Sequence, residues 1–241
     1  MGQLDGQVAF VTGAARGLGE SVMRTLCRHG AFVVGSDIRE GLLKQVVDQI
    51  GAAGGRAEGL PMDVTVDADV QRVLASVMER HGRLDLLVNN AAVDHTLPLE
   101  VLSVPQFDQV LDTNLRAAFL TCQHVVPYFR RQGGGTIVNV VSTAALRVWP
   151  NASAYHASKW GLLGFTHALN RELREHGIRV TALISGGMRT PFITERFPDV
   201  DPGTLQDPQL VADALLFVVG LPASTHVPEL VLSPMRDGSF P

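Results

Sequence analysis

Lysine and tyrosine are scarce in this chain. Its 241 residues hold two lysines, Lys44 and Lys159, and two tyrosines, Tyr128 and Tyr155. Two cysteines, Cys27 and Cys122, stand far apart and fit no metal or redox spacing. They read as buried thiols in a reducing compartment, with neither a disulfide nor a metal centre implied. Positive charge is also lacking. A net charge of −4 leaves no basic footprint for nucleic acid and no polybasic patch for a membrane surface. No apolar run approaches the roughly 20 residues of a membrane span. The opening "MGQLDGQVAF" enters strand-like sequence at once, without the cationic and long apolar segments of a signal peptide. Gly6 stands where a myristoylation pattern needs Ser or Thr. These absences lead to the expectation of a soluble, cytoplasmic protein without nucleic-acid or membrane partners.

What the chain does have is an alternation. Short apolar runs such as "VAFVTG" (8–13), "AFVVGSD" (31–37), "LDLLVNNA" (84–91), "GTIVNVVS" (135–142) and "IRVTALIS" (178–185) read as strands. "RAEGLPMDV" (56–64) is a weaker strand, and "PELVLS" (228–233) a possible seventh. Amphipathic stretches lie between them, several stopped by glycine. One long helix is expected over 104–132, with Pro105 near its start, and another over 153–177. This order predicts an α/β fold: a doubly wound, mostly parallel sheet of about seven strands with helices on both faces. The whole of 1–241 reads as one domain, and its one long irregular stretch, 185–206, as a lid or binding loop.

"TGAARGLG" (12–19) joins the first strand to the first helix, with Gly13, Gly17 and Gly19 spaced GxxxGxG. Such a turn lets a pyrophosphate approach the backbone at a helix N-terminus. Alone it is a weak signal, because strand-to-helix turns use glycine anyway. Asp37 ends the second strand, where a carboxylate accepts hydrogen bonds from an adenosine ribose and repels a 2′-phosphate. The expected cofactor is therefore NAD rather than NADP, with Arg16 and Arg39 as cations that partly offset the preference.

Tyr155 and Lys159 stand at i and i+4, on one face of a helix. An ammonium beside a phenol favours the phenolate, so Lys159 is expected to lower the pKa of Tyr155. A phenol so tuned gives a proton to a carbonyl oxygen or takes one from an alcohol. Ser142 ends the fifth strand, at the sheet edge where ligands bind in open α/β folds.

These residues resemble the short-chain dehydrogenases/reductases, over about Leu4 to Leu232. The likeness rests on TGxxxGxG at 12–19, Asp63 with Val64, "NNAA" at 89–92, Asn114, Ser142 and YxxxK at 155–159. It implies a Rossmann fold and an Asn114–Ser142–Tyr155–Lys159 tetrad. In that tetrad Asn114 holds a water linking Lys159 to solvent, and Ser142 positions the substrate oxygen. Lys159 also binds the nicotinamide ribose. Gly13, Arg16, Gly17, Leu18, Gly19, Asp37, Ile38, Asp63, Val64, Asn90, Ala91, Gly187, Met188 and Thr190 would complete the cofactor site, while Asn89 braces the central strand. The substrate pocket would be lined by Asp94, His95, Thr143, Ala144, Trp149, Asn151, Met188, Phe192 and Ile193. Arg147 and Arg189 are the nearest cations for any substrate carboxylate.

The implied reaction interconverts an alcohol and a ketone with NAD. Alternatives are an NADPH-dependent 3-oxoacyl thioester or 3-hydroxy acid reductase, and a non-catalytic dinucleotide sensor. A homo-oligomer, dimer or homotetramer, is expected through helices 105–131 and 153–176. Two departures from the family stand out. Gly186 replaces its usual proline, which predicts a looser lid hinge, and the tail "VPELVLSPMRDGSFP" replaces its glycine-rich ending.

Overall fold

The computed structural model describes residues 2–237. Seven strands form one parallel sheet: β1 (Val8–Thr12), β2 (Phe32–Asp37), β3 (Arg56–Pro61), β4 (Leu86–Asn89), β5 (Gly135–Ser142), β6 (Ile178–Ser185) and β7 (Glu229–Leu232). Their spatial order is β3-β2-β1-β4-β5-β6-β7. The order reverses direction at β1, between β2 and β4. That is the switch point at which a crevice opens beyond the strand ends.

Helices cover both faces. On one face α1 (Gly17–Arg28), α2 (Glu40–Ala52) and α8 (Pro208–Val219) pack on β1, β2 and β6 through Val22, Leu26, Leu43 and Leu215. On the other, α3 (Asp67–His81) and α5 (Ala117–Gln132) close over Phe10, Leu87 and Val180, with Phe129 fully buried. Sequestering one phenylalanine side chain contributes about 2–3 kcal/mol. The third helix of this face, α6 (Ser153–Leu173), shares a cluster with β5 and β6 through Leu162, Val141 and Ile184. Strands buried on both faces explain the unbroken apolar runs of the sequence.

A buried polar ladder ties this second face to the sheet. Asn89 and Asn139 are register partners on β4 and β5, and the Asn89 amide donates to Asn139 Oδ1 at 2.9 Å. Thr121 of α5 donates to Asn89 Oδ1 at 2.7 Å, and the Asn139 amide donates to Thr166 of α6 at 2.9 Å. Every group finds a partner, so the ladder fixes the helices instead of weakening the core.

The single helix expected over 104–132 is interrupted. It begins as α4 (Val104–Leu111), with a capping box between Ser103 and Gln106 and Pro105 in the first turn. A π-helical segment over Asp112–Arg116 then widens one turn before α5 continues. Periodicity does not reveal one extra residue in a turn. The widened turn carries Asn114, and π segments of this kind are frequent at functional sites. The irregular stretch after β6 contains the short helix α7 (Pro191–Thr194).

Candidate active site

One cavity of about 540 Å³ runs along the carboxyl ends of the strands, from the glycine-rich turn to the loop after β6. Its first wall is backbone. Gly13 and Gly17 have φ of 65° and 61°, a left-handed conformation that glycine adopts without strain. A Cβ on Gly19 would lie 2.1 Å from the Gly13 carbonyl oxygen, so the helix can start this close to the turn only without one. Asn90 pins the turn from β4: its amide donates to the carbonyls of Thr12 and Gly13 at 2.9 and 3.0 Å. Asp37 is buried and accepts from the backbone N–H groups of Ala15 and Arg39. The carboxylate therefore organises the turn as well as lining the cavity.

The first N–H groups of α1 have no side-chain cap, and Arg16, Gly17 and Leu18 line the cavity in front of them. Unsatisfied N–H groups at the positive end of a helix, with no side chain in the way, suit a diphosphate. This wall fits a dinucleotide. Arg16 also reaches over the cavity to Glu195, 2.5 Å away at the end of α7.

The second wall is made of side chains. Ser142, Thr143, Tyr155 and Lys159 all line the cavity. The Lys159 ammonium is 5.7 Å from the Tyr155 ring centroid and donates to the Val140 carbonyl at 2.9 Å. Burial pushes the Lys159 pKa down to about 8. Burial also pushes the Tyr155 phenol up to about 12, with Ser142 hydrogen bonding and the Arg196 charge acting against it and the Asp94 charge adding to it. The phenol thus stands above its ordinary value, where the sequence expectation has Lys159 lowering it; loss of hydration is the largest cause, and Lys159 is not among the groups that act on it.

Asn114 directs its carboxamide at the Val93 peptide, accepting at 2.8 Å and donating at 2.9 Å, and donates to Ser158 at 3.0 Å. It thus holds the loop after β4 against α6. His156 holds the opposite loop: the Trp149 N–H donates to Nε2 at 3.1 Å, and Nδ1 lies 2.8 Å from the Ala144 carbonyl. With Nε2 accepting, Nδ1 is the donor to the Ala144 carbonyl.

Asp94, Thr143, Trp149, Met188, Phe192 and Ile193 lie on the cavity wall, as do Ala91, Gly187 and Thr190. Three expected pocket residues do not. His95 turns to Gln109, 2.8 Å away. Asn151 is an exposed corner with φ of 65°, and Ala144 is buried behind Tyr155. Ile38 is exposed and away from the wall, while Asp63 accepts from Thr65 in a local turn. Val64 and Asn114 border a second, smaller void with Ala91. Arg147 and Arg189 are absent from the wall, and Arg189 faces Asp207 at 3.7 Å. Arg196 takes their place, paired with Asp94 and stacked 4.0 Å from the Phe192 ring. Sequence reading marked 185–206 as a lid but had no signal for which of its charges turned inward.

Gly186 is closely packed. A Cβ there would meet Pro234 and Asp237 side-chain atoms at 2.9 Å, and the Gly186 N–H donates to the Leu232 carbonyl at 2.8 Å. The unusual tail lies on this glycine, and Arg236 and Asp237 join the cavity wall. The two departures from the family pattern are thus one feature: a proline ring at 186 would occupy the room the tail takes. Residues 238–241 of that tail fall outside the described residues.

Residues 7–201 match the family model for short chain dehydrogenases. The chain belongs to that family. It is an oxidoreductase of CH–OH groups, in a family that binds nicotinamide dinucleotides. A cyclopentanol dehydrogenase of Comamonas testosteroni is 34% identical, covering 100% of this chain and 99% of its own length. Two solved dehydrogenase-family structures superpose closely. A 3-ketoacyl-(acyl-carrier-protein) reductase from Brucella melitensis, complexed with NADH, is 31% identical with a TM-score of 0.88, covering 97% of this chain and 99% of its own. A metagenomic short-chain oxidoreductase in complex with NADP is 32% identical with a TM-score of 0.86 and the same coverage. No helix among the described residues is long and apolar enough to cross a membrane.

Proposed function

We propose that this short-chain dehydrogenase interconverts a secondary alcohol and a ketone with NAD(H), using Tyr155 as the proton carrier. The observation that carries the reading is the buried Tyr155–Lys159 pair beside Ser142, on the same cavity as an uncapped helix N-terminus behind a glycine turn. A bound nicotinamide dinucleotide supplies or accepts the hydride. The protein supplies position and charge. Gly13, Gly17 and the α1 N–H groups hold the diphosphate, and Asp37 and Ala91 face the adenosine side. Thr190, Met188 and Gly187 meet the carboxamide end.

Ser142 orients the substrate oxygen. A phenol held near pKa 12 is fully protonated at neutral pH, which suits donation to a carbonyl oxygen during reduction. For oxidation the phenol must first release its proton, and the Lys159 ammonium stabilises the phenolate that remains.

Asp37 favours NAD because its carboxylate stands where a 2′-phosphate would be repelled. The family likeness to both NADH- and NADP-bound structures is compatible with either dinucleotide. The 3-oxoacyl thioester reading draws on the likeness to the Brucella reductase. Against it, Arg16, Arg39 and Arg196 on the wall each already face a carboxylate, leaving these three committed within the chain. We also assign α4–α5 and α6 as the surface for a second copy, since Phe119 and Trp160 are 44% and 51% exposed there.

The test is a panel of alcohols, ketones and acetoacetyl thioesters with NAD(H) and NADP(H), followed by reduced-nicotinamide absorbance. Turnover of simple secondary alcohols with NAD is expected. Preference for acetoacetyl thioesters with NADPH selects the second reading. Saturable dinucleotide binding without turnover across the panel leaves only a sensor.

A further inference from the structure

One carboxylate on the cavity wall is half used. Asp94 lies just past β4, and its side chain is 6% exposed. Its Oδ2 accepts from Thr96 Oγ1 at 3.0 Å and pairs with the Arg196 guanidinium. Its Oδ1 is closed off from solvent and has no hydrogen-bond partner in the protein. Leaving a buried carboxylate oxygen unmatched is costly, so this oxygen calls for a donor from outside the chain, a bound ligand or a water.

The surroundings narrow what that donor is. Asp94 shares the cavity wall with Tyr155 and Lys159, and its charge acts on both. Its partner Arg196 stacks 4.0 Å from the Phe192 ring, which lies 5.9 Å from the Tyr155 ring. Asp94 therefore sits near the proposed reaction centre. Arg196 already neutralises it, so the pair as a whole favours a neutral donor over an ammonium group. A substrate carboxylate would be repelled by Asp94 and would compete with it for Arg196. A hydroxyl meets both conditions: it is neutral and it donates. Asp94 and Arg196 both line the cavity, so a hydroxyl bound in it lies beside the pair.

We propose that Asp94 is the specificity determinant of this site and that the substrate is a diol or polyol, whose non-reacting hydroxyl donates to Asp94 Oδ1. In the reverse direction the substrate is the corresponding hydroxy ketone. The proposal rests on the alcohol–ketone reading above and adds the second hydroxyl to it.

The test compares cyclohexanol with vicinal cyclohexanediol in wild-type enzyme and in Asp94→Asn. In the variant, Thr96 and Arg196 still donate at the Oδ2 position and so hold the amide oxygen there. The NH₂ then takes the Oδ1 position, turning an acceptor into a donor at constant volume. A site built around one hydrogen bond discriminates strongly, so the wild-type kcat/KM should favour the diol at least ~10-fold. The diol-to-alcohol ratio should fall by ~10-fold or more in Asp94→Asn. Titration with NADH checks that the variant is folded; where it does not bind, the wild-type ratio decides alone. A wild-type ratio of one or below, or a ratio unchanged in a folded variant, overturns the Asp94 assignment and leaves the alcohol–ketone reading standing. Turnover of neither compound, nor of any alcohol in the panel, removes both.

Discussion

At the β1–β2 end of the cavity the wall is backbone; at the β5–β6 end it is side chains. Gly13 and Gly17 put main chain on the cavity wall with Gly19 packed behind them, and Asn90 and Asp37 spend their hydrogen bonds fixing that main chain. Tyr155, Ser142, Asp94, Phe192 and Arg196 form the other end by touching one another across distant parts of the chain. A backbone wall admits almost no substitution and serves a ligand common to the family. A side-chain wall can be rewritten without moving the sheet. The contrast explains why this chain keeps the family's turn intact yet departs from its pattern at Gly186 and in the tail.

The sharpest way to break this comparison is to remove the one oxygen at the side-chain end on which the chemistry depends. Tyr155→Phe should lower kcat by about 10³-fold while leaving dinucleotide affinity within about threefold, since a positioned general acid contributes a factor of this order. Steady-state turnover and a fluorescence titration separate the two effects. Near-normal kcat in this variant would sink the proton-transfer role.

At the backbone end, one methyl group should suffice. Gly19→Ala places Cβ against the Gly13 carbonyl. Overpacking of this kind should cost about 3 kcal/mol of stability or shift the turn and abolish tight dinucleotide binding. Gly51→Ala, on a helix where a Cβ meets nothing within 4 Å, should instead stabilise by about 0.5 kcal/mol. Equal denaturation midpoints for the two variants would refute the close-approach account.

Lys159 gives a comparison within the side-chain end, between what is good for the fold and what is good for the reaction. Its pKa falls from 10.5 to about 8 on folding. Below pH 8 it is charged in both folded and unfolded chains, and the folded state bears the full cost of burying that charge. From about pH 8 to 10.5 the folded chain holds fewer protons than the unfolded, so stability rises with pH and the cost fades. Lys159→Met should therefore raise stability at neutral pH by roughly 2 kcal/mol, after allowing for the lost bond to Val140. The gain should shrink toward pH 10, and turnover should be lost. Thermal unfolding of the dinucleotide-free protein at pH 7 and pH 10 checks this. Tyr155 acts in the opposite sense at higher pH: burial penalises its phenolate, so stability is unaffected below pH 10 and falls as pH climbs to about 12.

The smallest effect should come from Asp37, a charged side chain at the backbone end of the cavity. Asp37→Asn keeps an oxygen for Ala15 but removes the charge. The NADP-to-NAD ratio of kcat/KM should rise by roughly tenfold, the scale of one unfavourable charge contact at a partly wet site. A ratio unmoved by the substitution would place the selectivity with Arg16 and Arg39 instead.

Much of this is legible in the sequence alone. Apolar runs alternating with amphipathic stretches give the strand and helix order, because each period reflects only local geometry. Tyr155 and Lys159 are neighbours by helical spacing alone, and Gly13, Gly17 and Gly19 announce a turn. Periodicity blurred the π segment at Asn114, since one widened turn barely disturbs a long helix. His95 and Asn151 were misplaced for another reason: nearness in sequence to a strand end does not decide which way a loop residue faces.

By itself, the sequence determined the strand and helix order, the glycine-rich turn and the placing of Tyr155 and Lys159 on one helix face, because each follows from local spacing. Only the tertiary structure decided which distant side chains meet on the cavity wall. Asp94 meets Arg196 across 102 residues and Arg16 meets Glu195 across 179. It also decided the sign of the Tyr155 shift, because desolvation depends on everything packed around the ring and not on the one charged neighbour a helical spacing reveals.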